Sequence, residues 1–235
     1  MNIIDRLHLK HPFAGSRMLC DLLFRRGHVA NRKRIVRLMR LMGLEAMYPK
    51  QNLSKPHPGH RVFPYLLRGV DIVRPNHVWS IDITYIPLSG GFLYLVAIID
   101  WFSRYVLAWE LSNSLVNDFC CIALQRAIGR HASPEIFNSD QGAQFTAENF
   151  TSILLSKNIL VSMDGRGRAL DNVFIERLWR TVKYEEVFIR DYGDGGQAFI
   201  NLNRYFKFYN QERPHSALSG ATPCEVYREA TGITL

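Results

Sequence analysis

Residues 77–87 read His77-Val78-Trp79-Ser80-Ile81-Asp82-Ile83-Thr84-Tyr85-Ile86-Pro87. Apolar and polar side chains alternate, and β-branched and aromatic residues dominate, as a half-buried strand requires. Asp82 stands in the middle. A carboxylate there is costly to bury unless a cation compensates it, so Asp82 is a site candidate rather than a surface residue.

Downstream, 92–100 is a nearly continuous apolar run, joined to the first strand by a hairpin turn at Ser89-Gly90-Gly91. The pattern predicts a third strand over 104–110, a helix over 115–131, a strand over 134–138, a helix over 146–157 and a strand over 159–163. Helices follow from Asp171-Asn172 and over 197–209. Three antiparallel strands, then alternating helix and strand, then long helices predict an α/β fold. The order resembles a ribonuclease H-like core, a mixed five-stranded sheet with flanking helices.

Upstream the texture is different. Residues 1–68 hold 14 Lys and Arg against 3 Asp and Glu, whereas the rest of the chain holds 15 against 18. A basic first third on a slightly acidic body suits a nucleic-acid grip joined to a domain that keeps carboxylates for other work. Residues 16–26 read as a helix with Ser16 as N-cap and Gly27 past its end. Asn31 then caps a second helix over 32–42, ending at Gly43. In that helix Ile35, Leu38, Met39 and Met42 form an apolar stripe, and Lys33, Arg37 and Arg40 a basic one. A helix-turn-helix with the second helix in a DNA major groove is the reading, against a plain helical hairpin with solvated arginines. The expected domains are a helix-turn-helix over 1–48, a linker over 49–75 with a short helix near Tyr65–Leu67, and a catalytic core over 76–235.

Other classes are disfavoured. No apolar run approaches the roughly 18 residues of a membrane span, and the N-terminus lacks a signal peptide's apolar centre, so a cytoplasmic or nucleoid-associated protein is expected. Cys20, Cys120, Cys121 and Cys224 form no C-x-x-C pair and read as reduced core residues. His8/His11 and His57/His60 have H-x-x-H spacing, but no cysteine pair stands at finger distance, which speaks against zinc.

Two further carboxylates join Asp82. Asp140 follows the short strand ending Phe137-Asn138-Ser139, where open α/β sheets bind ligands, although a Ser-Asp-x-Gly aspartate in isolation is more often a turn residue. Glu176 lies on the helix from Asp171-Asn172, and 35 residues separate it from Asp140. Lys183 is two turns further on, on the glutamate's face. With Trp79-Ser80-Ile81-Asp82-Ile83-Thr84-Tyr85, Ser139-Asp140-Gln141-Gly142-x-Gln144-Phe145, Asp171-Asn172-x-x-x-Glu176 and Tyr209-Asn210-x-x-Arg213-Pro214-His215, the chain resembles the integrase-core transposases of bacterial insertion sequences, relatives of retroviral integrase with an aspartate-aspartate-glutamate triad.

The resemblance covers essentially the whole chain. It implies that Asp82, Asp140 and Glu176 hold two Mg²⁺ ions, with Mn²⁺ as a substitute, for 3′-end cleavage and strand transfer. It also implies that Lys183, with Arg180 as the alternative, contacts the DNA end. Transposon ends and target DNA are the expected partners, bound by a homo-oligomer. The chemistry independently suits the ligand set, because Mg²⁺ takes oxygen donors and a pair of ions about 4 Å apart serves an in-line displacement at phosphorus. The three carboxyl groups should therefore converge, with Glu176 splayed outward by repulsion when no ion is present. Gly165-x-Gly167 reads as a loop beside the site that orders on DNA. Asn138 replaces a histidine frequent in relatives, a change of packing more than chemistry. Arg213-Pro214-His215 is expected to support the site or touch DNA. Such transposases commonly gain a further DNA-binding region and a coiled coil from an upstream reading frame. No heptad pattern occurs here, so the chain reads as the downstream product alone, with the upstream product as a further partner. The alternatives are a joining-incompetent nuclease and a non-catalytic DNA-binding regulator of the full transposase.

Overall fold

The computed structural model describes residues 2–11, 14–46, 62–165 and 172–232. It divides into two compact units, 1–53 and 54–235. No helix among the described residues is long and apolar enough to cross a membrane.

The first unit holds three helices: α1 (Asn2–Lys10), α2 (Ser16–Phe24) and α3 (Arg32–Leu41). Ile4 and Leu7 of α1, Leu19 and Leu23 of α2, and Ile35 and Met39 of α3 form its core. Helix α1 precedes the two expected helices and supplies the cover that a two-helix hairpin lacks. Asn31 caps α3 as its sequence predicts, its side chain accepting the Arg34 N–H at 2.8 Å. Gly15, not Ser16, occupies the cap position of α2, and the Ser16 hydroxyl instead accepts from Arg32 Nε at 3.4 Å. Lys33, Arg37 and Arg40 are all exposed, so the basic stripe of α3 is free for a polyanion.

The second unit is built on a five-stranded sheet in the order β3-β2-β1-β4-β5. Its strands are β1 (Val78–Leu88), β2 (Gly91–Asp100), β3 (Val106–Ser112), β4 (Ile136–Ser139) and β5 (Leu160–Met163). The first three pair antiparallel, while β4 runs parallel to β1 and β5 to β4. This is the mixed sheet of a ribonuclease H-like core. The third strand starts two residues later than expected because Arg104 adopts a left-handed backbone (φ 65°) at the end of the β2–β3 turn. The expected helix over 146–157 is two pieces, α5 (Ala143–Thr146) and α6 (Glu148–Ser156), broken by extended backbone at Ala147.

Alternation along β1 sends its residues to two separate cores. Trp79 and Ile81 join α4 (Asp118–Arg130) and α6 on one face, with Phe119, Leu124, Phe150 and Leu154. Val78 and Ile86 join α7 (Val173–Val182) and α9 (Gly195–Gln211) on the other, with Ile175, Leu178, Leu202 and Phe206. Ser80, Asp82 and Thr84 lie between Val78 and Ile86 in the same alternation, so the polar row of β1 faces α7. After Val182 the helix widens into a π turn at Lys183–Val187 and ends in α8 (Phe188–Arg190). A last helix, α10 (Pro223–Thr231), carries a complete capping box between Thr222 and Glu225.

No helix forms near Tyr65–Leu67. Residues 62–67 are irregular, held to β5 by the Leu66 N–H to Ser162 Oγ (3.0 Å) and the Met163 N–H to Pro64 O (3.3 Å). Pairing to a sheet edge satisfies their backbone and displaces the local helix. The 49–75 stretch is described only from 62 onward, where Leu67 is buried in the sheet's core. The Gly165-x-Gly167 loop lies, beyond Gly165, outside the described residues.

Candidate active site

Asp82 and Asp140 are brought together by strand register. The parallel β1/β4 ladder pairs Val78 with Ile136 and Ser80 with Asn138, then ends. Two residues further on come Asp82, still within β1, and Asp140, just past the end of β4, near enough for the Asp140 charge to act on Asp82. On its other side Asp82 faces Ala97 of β2, whose methyl group leaves the carboxylate room.

Each aspartate is fixed by its own hydrogen bonds. Asp82 Oδ2 accepts from the indole Nε1 of Trp179 at 2.9 Å, and Oδ1 accepts the Ile83 N–H at 2.8 Å. Asp140 Oδ1 accepts the Gly142 N–H at 2.8 Å. The isolated reading of Asp140 as a turn residue is thus satisfied, and the turn aims the carboxylate. Gly142 is required by close approach, since a Cβ there would stand 2.8 Å from Asp140 Oδ1.

Glu176 occupies the first turn of α7, exposed, and makes no hydrogen bond or ion pair among the described residues. It lies one turn before Trp179, whose bond to Asp82 docks that turn of α7 on β1. Asp82 feels the charge of both other carboxylates. Burial pushes the Asp82 carboxyl up to about 6, the Trp179 and Ile83 hydrogen bonds oppose this, and repulsion from Asp140 and Glu176 adds to it. Asp140 is likewise raised by the protein crowding its carboxyl, against the Gly142 N–H, although the residue keeps an exposed surface. Among the described residues no three His, Cys, Asp or Glu side chains stand together as a ready-made ion cage.

Near Asp140 stands Asp164, which the sequence did not single out. Asp164 follows β5, extends the β4–β5 pairing through its N–H to Ser139 O (2.9 Å), and is buried. Its Oδ1 accepts from Asn138 Nδ2 at 2.8 Å and its backbone carbonyl from Gln141 Nε2 at 2.9 Å. Asn138 therefore packs and ties the floor beneath Asp140. Lys183 opens the π turn with helical backbone angles, which preserves its place on the Glu176 face, and it is half-buried. Arg180 is exposed and borders a groove with Arg177 and Tyr184.

The Tyr209-Asn210-x-x-Arg213-Pro214-His215 motif has a structural explanation. Asn210 Oδ1 accepts the Val106 N–H at 2.9 Å and its Nδ2 donates to Val106 O at 3.0 Å, so the amide stands in for a paired strand at the β3 edge. Arg213 grips Glu185 of the π turn with Nε and Nη2 at 2.8 and 2.6 Å, and the same carboxylate accepts from Tyr205. His215 meets the Tyr209 ring edge-on at 4.8 Å. Burial, then the Arg213 charge, lowers the His215 pKa to about 4, which leaves it neutral near pH 7. The motif locks α9 to the irregular end of α7.

Two models described as "Integrase core domain" match residues 73–169 and 157–223, and one described as "HTH-like domain" matches 1–52. The chain is 31% identical over 222 residues to the transposase for insertion sequence element IS904 of Lactococcus lactis, covering 89% of this chain and 85% of that one. The chain belongs to the insertion-sequence transposases of the retroviral-integrase superfamily. A further member, a putative transposase for IS150 of Escherichia coli, is 30% identical, with 92% of this chain and 78% of that one covered. The fold also matches a solved HTLV-2 integrase catalytic core domain, in complex with magnesium and in dimeric form, at a TM-score of 0.54 and 20% identity over 66% of this chain and 98% of that one.

Proposed function

We propose that this chain cuts the 3′ ends of an insertion sequence and joins them to target DNA, with Asp82, Asp140 and Glu176 as the ligands of two Mg²⁺ ions and Mn²⁺ as a substitute. The observation that carries the reading is Asp82, a half-buried carboxylate in the middle of a strand, both of its oxygens held by hydrogen bonds and its charge within reach of two carboxylates from separate elements. An all-oxygen, anion-rich set suits a hard dication, which would relieve both the burial penalty at Asp82 and the repulsion acting on it. When bound, such ions activate an attacking oxygen and stabilise the leaving one in an in-line displacement at phosphorus.

The chain's own residues prepare for that chemistry. Trp179 and the Ile83 N–H hold both Asp82 oxygens in place, and the Gly142 N–H fixes Asp140 just past β4, so two of three donors are held in place by hydrogen bonds. Glu176, exposed in the first turn of α7, would have to turn inward to complete the set. Its exposure also leaves the site open to a DNA strand. Water as nucleophile gives cleavage and a DNA 3′-hydroxyl gives joining, so one site serves both. Lys183, and Arg180 beside it, are proposed to neutralise phosphates of the bound DNA end. A homo-oligomer holding two ends is the proposed assembly, with an upstream reading-frame product as a further partner.

The test is a joining assay with a labelled element end and a target duplex, supplying the upstream product where one exists. Joining should vanish on chelation and return with Mg²⁺ or Mn²⁺, while end binding persists without either. Joining that survives chelation would refute the metal reading.

The basic stripe of α3 predicts a separate effect. Replacing Lys33, Arg37 and Arg40 together with Gln should weaken DNA binding and reduce the log–log salt slope by about 0.9 for each phosphate that is no longer neutralised. Joining at saturating DNA should largely survive. An unchanged slope would make the first unit a plain helical hairpin.

A further inference from the structure

A groove of about 600 Å³ runs along α7, and Arg177, the residue after Glu176, belongs to its lining. Arg177 and Tyr184 of α7, Arg104 of the β2–β3 turn, and Tyr209 and Arg213 of the C-terminal segment line it. Its charge balance is lopsided. Arg213 is answered by Glu185 in a two-point ion pair. Arg177 makes no hydrogen bond or ion pair among the described residues. The Arg104 guanidinium lies 3.7 Å over the Phe174 ring, and its Nη1 is buried without a hydrogen-bond partner. Burial lowers the Arg104 pKa, Tyr209 and Asp100 oppose that, and the charge of Arg177 lowers it further. The two guanidinium groups repel, Asp100 only partly offsets this at Arg104, and an anion placed between them would be attracted by both.

We propose that Arg104 and Arg177 form a phosphate-binding site that grips the DNA backbone a few nucleotides from the triad. The identity of the anion rests on the DNA-joining reading, while the site itself rests on the arginines. DNA is favoured over an acidic protein segment because Arg177 immediately follows Glu176 in α7. From Arg177 to Tyr184 the helix rises about 10 Å, room for on the order of three phosphates of one strand. Tyr184, 67% exposed at the rim, offers an aromatic face to a sugar or base on the same path. The site adds to Lys183 and Arg180, which serve the DNA end itself.

The experiment is anisotropy binding of the full-length chain to a labelled element end over a salt series, without divalent metal. Arg177→Gln, on an exposed side chain, should weaken binding several-fold at low salt and cut the log–log slope by about 0.9; with Arg104→Gln added, the cut should be about twice that. Replacing single phosphates near the end with uncharged methylphosphonates should locate the gripped phosphate, because at one or two linkages the neutral linkage and Arg177→Gln should no longer add. Where Arg104→Gln lowers thermal stability, Arg177→Gln alone carries the test. An unchanged slope with fully additive linkages overturns the proposal. So does a loss of self-association with an unchanged slope, which would assign the groove to an acidic surface of a second copy. Glu176→Gln, run alongside, separates this from the triad: lost joining with a normal salt slope marks the triad alone, and a lost slope in Arg177→Gln marks the groove even where the triad assignment fails.

Discussion

Glu176→Gln should bind an element end as tightly as the unaltered chain and join it on the order of a thousandfold more slowly, a loss of about 4 kcal/mol of transition-state stabilisation. The substitution keeps the size of the side chain and one carbonyl oxygen. It touches no hydrogen bond or ion pair of the described structure and sits exposed in the first turn of α7, so the fold should be unaffected. What it removes is one of three anionic ligands, and a two-ion site short of one anion no longer balances the charge that develops on the leaving oxygen. The measurement is single-turnover joining with Mg²⁺, then Mn²⁺, on ends with a free 3′-hydroxyl, after the unaltered chain has been shown active. Near-normal joining would return Glu176 to the solvated helix surface and break the triad. Normal binding with no joining separates the enzyme from a DNA-binding regulator, because only the enzyme needs this carboxylate.

The sheet could be read from the sequence because its signals are local. Alternation through 77–87 and the apolar run of 92–100 identify β1 and β2, and parity along β1 alone places Asp82 with Val78 and Ile86 rather than with Trp79 and Ile81. The 35-residue gap between Asp140 and Glu176 carried the family resemblance. Interactions that cross between elements had no local trace. Trp179 is 97 positions from Asp82, and its bond depends on where α7 crosses β1, which no periodicity encodes. Asn210 mends the β3 edge from 104 positions away. The π turn at Lys183–Val187 leaves no compositional mark, and its Glu185 is held by Arg213 and Tyr205 from 28 and 20 positions away. Arg104 and Arg177 looked like ordinary surface cations until the fold set them on one groove.

Asp82→Asn should stabilise the fold at neutral pH while eliminating joining, and the stabilisation should fade in a defined pH window. Folding raises the Asp82 carboxyl from an ordinary 3.8 to about 6. For a carboxylate raised on folding, the native state binds more protons between those two values. Its stability is therefore fully present below about 4 and is lost as pH rises through about 6. Two pKa units correspond to about 3 kcal/mol at pH 7.5. The amide escapes that cost and can still accept from Trp179, but its NH₂ group no longer accepts the Ile83 N–H, which returns about 1 kcal/mol. The net gain should be about 2 kcal/mol, or roughly 4–8 °C in melting temperature for a unit of this size. Thermal melts of both forms without metal, from pH 4 to 7.5, check it: the variant should be the less stable near pH 4 and the more stable above about 6. The crossing isolates Asp82, because the other shifted groups, Asp140, Asp100 and Glu110 among them, are common to both curves. Millimolar Mg²⁺ at pH 7.5 should then stabilise the unaltered chain and leave Asp82→Asn nearly unmoved, since an ion that relieves a buried anion has nothing to relieve in the amide. Parallel curves across the whole range, with equal Mg²⁺ shifts, would mean that Asp82 carries no buried charge and cannot be the site's anchoring ligand.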